Sequence, residues 1–252
     1  MNIIIPAIFL GIMGFIFGAI LSFASKKFEV EVDPKINKVL ECLPGANCGG
    51  CGFPGCSGLA NAIVNDNVPV DKCVAISLEK KNEIKQVLGQ KITDVNADPL
   101  AKKAAVIRCQ GLDCEEYVNF EYNGVKSCHE AVLVQNGHWK CPHRCMGLGS
   151  CVQACPFGAL SMGPNRIPVI DESKCVACGK CVETCPKQII ELAPQIKTIH
   201  VLCVSHELGK DTVQMCKVGC IGCGLCKKNC PADAIIIENN FAHIDYTKCI
   251  EC

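Results

Sequence analysis

The sequence predicts an α+β chain. A single membrane-spanning N-terminal helix leads into a small glycine-rich domain built on four cysteines, then into two tandem modules of cysteine runs and strand hairpins. Three observations predict it: no charged residue between Met1 and Ser25, 24 cysteines among 252 residues, and a cysteine spacing that occurs twice. About one cysteine in ten residues marks a disulfide or metal scaffold. The length allows two or three domains. Lys plus Arg equals Asp plus Glu at 25 each. That balance excludes a globally basic nucleic-acid binder and an acidic disordered chain, so no nucleic-acid partner is expected.

Residues 1–25 form the anchor. Ile3 to Phe23 is a nearly unbroken apolar run, and at 1.5 Å per residue it spans about 31 Å, enough for a bilayer core. Gly14 and Gly18 make a small-xxx-small pair on which a second helix can pack closely. A cleaved signal peptide is disfavoured by the absent basic n-region and the long apolar stretch. Lys26 and Lys27 follow at once, and the positive-inside rule holds that flank in the cytoplasm. The cysteines then face a reducing compartment, where disulfides are disfavoured and metal ligation is the better reading.

Residues 26–76 carry the first group, Cys48-Gly-Gly-Cys51-Gly-Phe-Pro-Gly-Cys56 and then Cys73. The glycines let the backbone wrap an inorganic cluster and turn N–H groups toward its sulfurs. Four cysteines without histidine, three of them within nine residues, fit one [4Fe–4S] cluster better than a two-knuckle zinc site. A helix is expected to open at Ser57 and run through Leu59, Ala60, Ile63 and Val64. Residues 77–104 read as a helical connector, with Leu78, Ile84, Val87 and Leu88 on one face of a short amphipathic helix.

Residues 105–195 form the first module. Cys175-x2-Cys178-x2-Cys181-x3-Cys185-Pro186 is a full bacterial ferredoxin run, in which the fourth cysteine serves the neighbouring cluster. Upstream, Cys145-x5-Cys151-x3-Cys155-Pro156 has Leu148 where a middle cysteine is expected. Between the runs, Ala159–Met162 and Ile167–Ile170 flank a Gly-Pro-Asn-Arg turn and read as a hairpin. One cluster is assigned to Cys155, Cys175, Cys178 and Cys181. A second takes Cys145, Cys151 and Cys185, with Cys141 as candidate fourth ligand.

Residues 196–252 form the second module. Cys220-x2-Cys223-x2-Cys226-x3-Cys230-Pro231 is again a full run. Ala234–Glu238 and Phe241–Asp245 form its hairpin around Asn239-Asn240, and Cys249-x2-Cys252 begins a partner motif. The sequence stops inside that motif, so the module is expected to be incomplete. The spacing Cys128-x12-Cys141-x3-Cys145-x5-Cys151-x3-Cys155 recurs as Cys203-x12-Cys216-x3-Cys220-x5-Cys226-x3-Cys230, an internal repeat. The repeat leaves an alternative open: Cys109, Cys114, Cys128 and Cys141 form a further cluster and the Leu148 site stays one ligand short. Cys42 fits no motif and reads as a small hydrophobe.

There is no dinucleotide fingerprint, P-loop or haem signature. The chemistry therefore resides in the clusters, at least three of them [4Fe–4S], as one-electron transfer. Lys102, Lys103, Arg108, Lys227 and Lys228 are candidates for attracting an acidic ferredoxin.

The order of parts resembles the B subunit of the Rnf complex. The resemblance covers essentially the whole chain and rests on the N-terminal helix, the stretch Leu43-Pro44-Gly-Ala-Asn-Cys48-Gly-Gly-Cys51-Gly-Phe-Pro-Gly-Cys56 and the tandem ferredoxin motifs. The extra cysteines and second module look like the longer, clostridial-type form. The resemblance implies a subunit of a membrane-bound ferredoxin:NAD+ oxidoreductase, a translocase for Na+ or H+, with no nucleotide or substrate-conversion site of its own. It implies reduced ferredoxin as electron donor, and as partners the flavin- and NADH-binding C subunit and integral membrane subunits. The implied location is the bacterial inner (cytoplasmic) membrane, single-pass, with clusters on the cytoplasmic side. Cys48, Cys51, Cys56 and Cys73 match the family's first cluster, and Cys175, Cys178, Cys181 and Cys185 its regular ferredoxin motif. Leu148 departs from the shorter relatives' pattern. The alternatives are a ferredoxin-like subunit of another membrane-bound hydrogenase or dehydrogenase, and a zinc-binding interaction module.

Overall fold

The computed structural model describes residues 4–27, 33–90, 102–111 and 115–252. Helix α1 (Ile4–Lys27) is apolar on every described face rather than along one stripe. Its Ile8–Ser25 stretch has a mean hydropathy of 2.2 and buries none of its length against the rest of the chain. A helix of that length and character is long and apolar enough to cross a membrane.

Three helices build the first cluster domain. Helix α2 (Pro34–Cys42) starts with proline in its first turn and with the Asp33 side chain accepting the Lys35 N–H at 2.8 Å, a regular helix opening. Helix α3 (Gly55–Asn65) begins two residues before the expected Ser57. Helix α4 (Leu78–Val87) is capped by Ser77, whose hydroxyl accepts the Lys80 N–H. Ile36, Val39, Leu59, Ile63 and Ile84 interlock in one core that also takes in Cys56 and Cys73. The helix expected in the connector therefore packs into the four-cysteine domain. The Asn96–Pro99 part of the connector lies outside the described residues.

The first module runs β1 (Lys103–Ile107), α5 (Cys128–Leu133), α6 (Ser150–Gln153), β2 (Leu160–Met162), β3 (Pro168–Ile170), α7 (Lys180–Thr184) and β4 (Ile190–Pro194). Strands β2 and β3 pair antiparallel with Leu160 opposite Ile170, as the hairpin reading expects. Strand β1 pairs antiparallel with β4, from Lys103 opposite Pro194 to Ile107 opposite Ile190. Ala105, Ile107, Leu160, Ile167, Ile189 and Ile190 close over Cys145, Cys151 and Cys181 in one core.

The second module adds α8 (Gly209–Met215), α9 (Leu225–Asn229), β5 (Ile235–Glu238) and β6 (Phe241–Ile244). Asn239 and Asn240 join β5 to β6 with φ of 49° and 62°, the left-handed pair that a two-residue hairpin turn needs.

Arg108 ties the modules together. Its Nη1 reaches Glu191 at 3.0 Å, its Nε donates to the Val201 carbonyl at 3.2 Å and its Nη2 to the Ala242 carbonyl at 2.9 Å. The guanidinium also lies 4.5 Å from the centre of the Phe241 ring. Arg108 is thus buried, with only 6% of its surface exposed. This corrects its grouping with the docking lysines: a carboxylate and two carbonyls at the seam draw it inward. Lys102, Lys103, Lys227 and Lys228 are exposed.

Candidate metal centre

The Cys48 loop is shaped by left-handed residues, Asn47, Gly49, Gly52 and Gly55. The Asn47 side chain accepts the Cys56 N–H at 2.7 Å, which closes the loop onto the start of α3. A short 3₁₀ turn, Val70–Lys72, delivers Cys73. Cys73 lies within electrostatic reach of Cys51, Cys56 and Cys48, and its sulfur accepts the Ala75 N–H. Burial pushes its thiol pKa up.

In the first module, Cys155, Cys175, Cys178 and Cys181 line one cavity of about 310 Å³, walled by Ala105, Leu160 and Leu192. Backbone amides point at the sulfurs: Ala159 N–H to Cys155 at 3.4 Å and Ala105 N–H to Cys175 at 3.5 Å, with Lys180 serving Cys178 and Val182 serving Cys181. The residues just before the short helices α6, α7 and α9 are Gly149, Gly179 and Gly224, with φ of 76°, 79° and 78°. Only glycine takes that left-handed turn without strain, and it sets Cys151, Cys181 and Cys226 into the first turn of their helices.

A second cavity of about 380 Å³ is lined by Cys145, Cys151, Cys185 and Cys128. Cys128 lines this cavity beside the three expected cysteines, and the expected Cys141 does not. The physical reason is local: the Ser150 hydroxyl accepts the Cys128 N–H at 2.8 Å, and Leu148 packs against the cluster of Cys128, Ala131 and Met146. A sulfur from the neighbouring helix end, that of Cys128, thus faces the cavity although Leu148 brings none. The 128–141 segment carries no ferredoxin spacing, so only the repeat could single Cys128 out.

Cys141 instead lines a third cavity with Cys109, Cys203 and Cys216. The alternative grouping of Cys109 and Cys141 with Cys128 is thereby divided between two cavities, and Cys114 lies outside the described residues. Cys42 sits 3.5 Å from Glu83, away from these cavities. In the second module Cys220, Cys230 and Cys249 are half-buried, while Cys223, Cys226 and Cys252 are exposed. The Ala234 N–H meets the Cys230 sulfur at 3.4 Å, repeating the Ala159–Cys155 contact.

Burial dominates the cysteine electrostatics. It pushes the thiols of Cys145 and Cys181 up to about 12, and those of Cys141 and Cys151 up to about 11. Apolar walls disfavour a bare thiolate, and a bound cation reverses that preference by deprotonating the thiol outright. Among the described residues no three His, Cys, Asp or Glu side chains converge on a single ion. Three sets of four cysteines line cavities instead, the arrangement that a polynuclear cluster needs. All-sulfur donors, amides aimed at sulfur and apolar walls fit iron–sulfur clusters.

Comparison with known proteins agrees with that fit. A family model described as "Putative Fe-S cluster" matches residues 43–75. A "4Fe-4S dicluster domain" model matches residues 140–189 and 174–234. The B subunit of the ion-translocating oxidoreductase complex of Methanosarcina acetivorans is 42% identical over 95% of this chain and 89% of its own. The B subunit of the proton-translocating ferredoxin:NAD(+) oxidoreductase complex of Clostridium ljungdahlii is 43% identical over 100% of this chain and 87% of its own. The B subunit of the Na(+)-translocating ferredoxin:NAD(+) oxidoreductase complex of Acetobacterium woodii is 42% identical over 99% of this chain and 74% of its own. With an apolar N-terminal helix, a glycine-wrapped four-cysteine loop and tandem ferredoxin motifs in one chain that these relatives match almost end to end, the protein belongs to the B subunits of ion-translocating (Rnf) oxidoreductase complexes.

Proposed function

We propose that this chain is the membrane-tethered electron relay of a ferredoxin:NAD+ oxidoreductase that translocates Na+ or H+. It accepts electrons from reduced ferredoxin and delivers them to other subunits, including the flavin- and NADH-binding C subunit and the integral membrane subunits. Helix α1 holds it in the bacterial cytoplasmic membrane, and Lys26 and Lys27 keep the clusters on the cytoplasmic side.

Cys48, Cys51, Cys56 and Cys73 hold one [4Fe–4S] cluster, and Cys155, Cys175, Cys178 and Cys181 another. Cys145, Cys151 and Cys185 hold a third, with Cys128 as its fourth ligand. Cys220, Cys223, Cys226, Cys230, Cys249 and Cys252 supply ligands in the second module. When bound, each cluster takes up and gives back one electron. The chain's own residues set the conditions: the amides of Ala159, Ala105, Lys180 and Ala75 favour the charged sulfurs, while Leu160 and Leu192 exclude water. Exposed Lys102, Lys103, Lys227 and Lys228 attract an acidic ferredoxin.

The observation that carries this reading is the junction of the two cluster domains. Gly50, between Cys48 and Cys51, packs on the backbone of Cys178, and Cys178 lies within electrostatic reach of both Cys48 and Cys155. The membrane-proximal domain therefore meets the ferredoxin module at cluster-bearing loops. The test is Cys51→Ala in the assembled complex. Steady-state ferredoxin:NAD+ activity should vanish while the iron and reduced-state EPR signals of the other clusters persist. Unimpaired activity rules the relay out.

A further inference from the structure

We propose that Cys109, Cys141, Cys203 and Cys216 hold a further [4Fe–4S] cluster at the seam between the two modules. The proposal rests on the iron–sulfur reading of the motif-bearing cavities. No ferredoxin spacing marks these four residues: two come from the first module and two from the second, and only the fold brings them together. They line one cavity together, as the cysteines of the ferredoxin runs line theirs.

The amide geometry is shared with those cavities. The Cys109 sulfur accepts the N–H of Gly111, and that of Cys141 the N–H of His143. Each donor lies two residues after its cysteine. The same step joins Gly147 to Cys145, Lys180 to Cys178 and Ala75 to Cys73. Such amides offset the negative charge of a ligated sulfur. Arg108 and Arg144, each only 6% exposed, also line the cavity and put positive charge where a cluster with four thiolates is negative. The Cys145 N–H also reaches the Cys109 sulfur, so one residue joins this site to the neighbouring Cys145 cavity.

The count of cysteines closes as well. In the first module Leu148 leaves a gap, and Cys128 lines that cavity. In the second module Cys223 occupies the equivalent position, so Cys203, the repeat counterpart of Cys128, is released to the seam.

The experiment uses the full chain purified anaerobically. Cys141→Ser and Cys216→Ser, one from each module, should each lower the content by about four iron and four acid-labile sulfide. The double variant should lose no more than either single one, and Cys128→Ser should add its own loss to that of Cys141→Ser. Unchanged iron in Cys141→Ser overturns the proposal. So does a loss of zinc with iron unchanged, or a lack of additivity with Cys128→Ser, which would mean a shared site. Should a variant fail to fold, alkylation mapped on the unaltered protein decides: the four seam cysteines must react only after iron is removed, with Cys42 as internal comparison. Alkylation of any of them with iron intact overturns the proposal. An iron-free parent defeats the relay itself, whereas an iron-rich parent with an unchanged Cys141→Ser defeats only the seam cluster.

Discussion

Gly50 packs so tightly on Cys178 that a methyl group at Gly50 would stand 2.7 Å from the Cys178 carbonyl oxygen and 3.1 Å from its Cα. The neighbour is backbone inside a cluster-binding loop, so it cannot turn away as a side chain can. Gly50→Ala must therefore shift one domain against the other. Iron content should be retained. Electron delivery from the ferredoxin module to the Cys48 domain should slow as the two loops are pushed apart. Stopped-flow reduction at the absorbance of the clusters measures it, and a parental rate would show that this contact is not the junction.

Leu148 and Cys128 form a natural exchange pair, because they pack together at the position that a regular motif fills with cysteine. Cys128→Ser should remove about one cluster's iron. Adding Leu148→Cys to that variant should restore it, because the motif then has its regular spacing. Iron assay with EPR of the reduced protein gives the answer; a double variant still short of iron contradicts the ligand set.

Arg108→Ala leaves Glu191 and the Val201 and Ala242 carbonyls without their shared donor. Loss of a buried charge-assisted network of this kind costs about 3 kcal/mol. Arg108→Lys should recover little, since an ammonium cannot serve three directions from one plane. Denaturant unfolding of the iron-loaded chain should show the second module melting earlier in both variants. An unchanged midpoint would mean that the seam is held elsewhere.

The buried thiols predict an alkaline weakness of the cluster-free chain. Burial raises Cys145 and Cys181 to about 12 and Cys141 and Cys151 to about 11, from an ordinary value of 9.0. The folded state thus binds these protons more tightly than the unfolded one. That contribution is fully present below pH 9.0 and is lost as pH climbs through the folded values. With iron bound the sulfurs carry no proton. From pH 9.0 up toward pH 12 the urea midpoint should fall for the cluster-free protein and hold for the iron-loaded one; equal behaviour of the two forms contradicts the thiolate assignment.

Much of the architecture is legible residue by residue. The uncharged run to Ser25 foretells α1, and the short apolar segments on either side of Gly163–Arg166 and of Asn239-Asn240 foretell both hairpins. These are local signals, in which the turn chemistry and the strand pattern lie within a few residues of each other. The β1–β4 pairing is not legible, because its partners are too far apart in the chain for any local pattern to link them. Arg108 misleads for the same reason: a basic residue beside Lys102 and Lys103 looks solvent-facing until Glu191, Val201 and Ala242 are brought to it.

The cysteines divide along the same line. Cysteines within one run, such as Cys48, Cys51 and Cys56 or Cys175, Cys178 and Cys181, are legible as a candidate ligand set in the sequence alone, because a cluster-wrapping loop has a fixed reach and needs glycine at set positions. The partners drawn from other segments are decided only by the tertiary structure. Cys128 lines the Cys145 cavity because α5 docks beside Leu148, and Cys141 faces the seam, where Arg108 binds the Val201 and Ala242 carbonyls of the second module. Spacing records what one stretch of backbone can encircle. Which stretches meet depends on long-range packing, and the identical repeat spacing of Cys128 and Cys203 carries no trace of their different destinations.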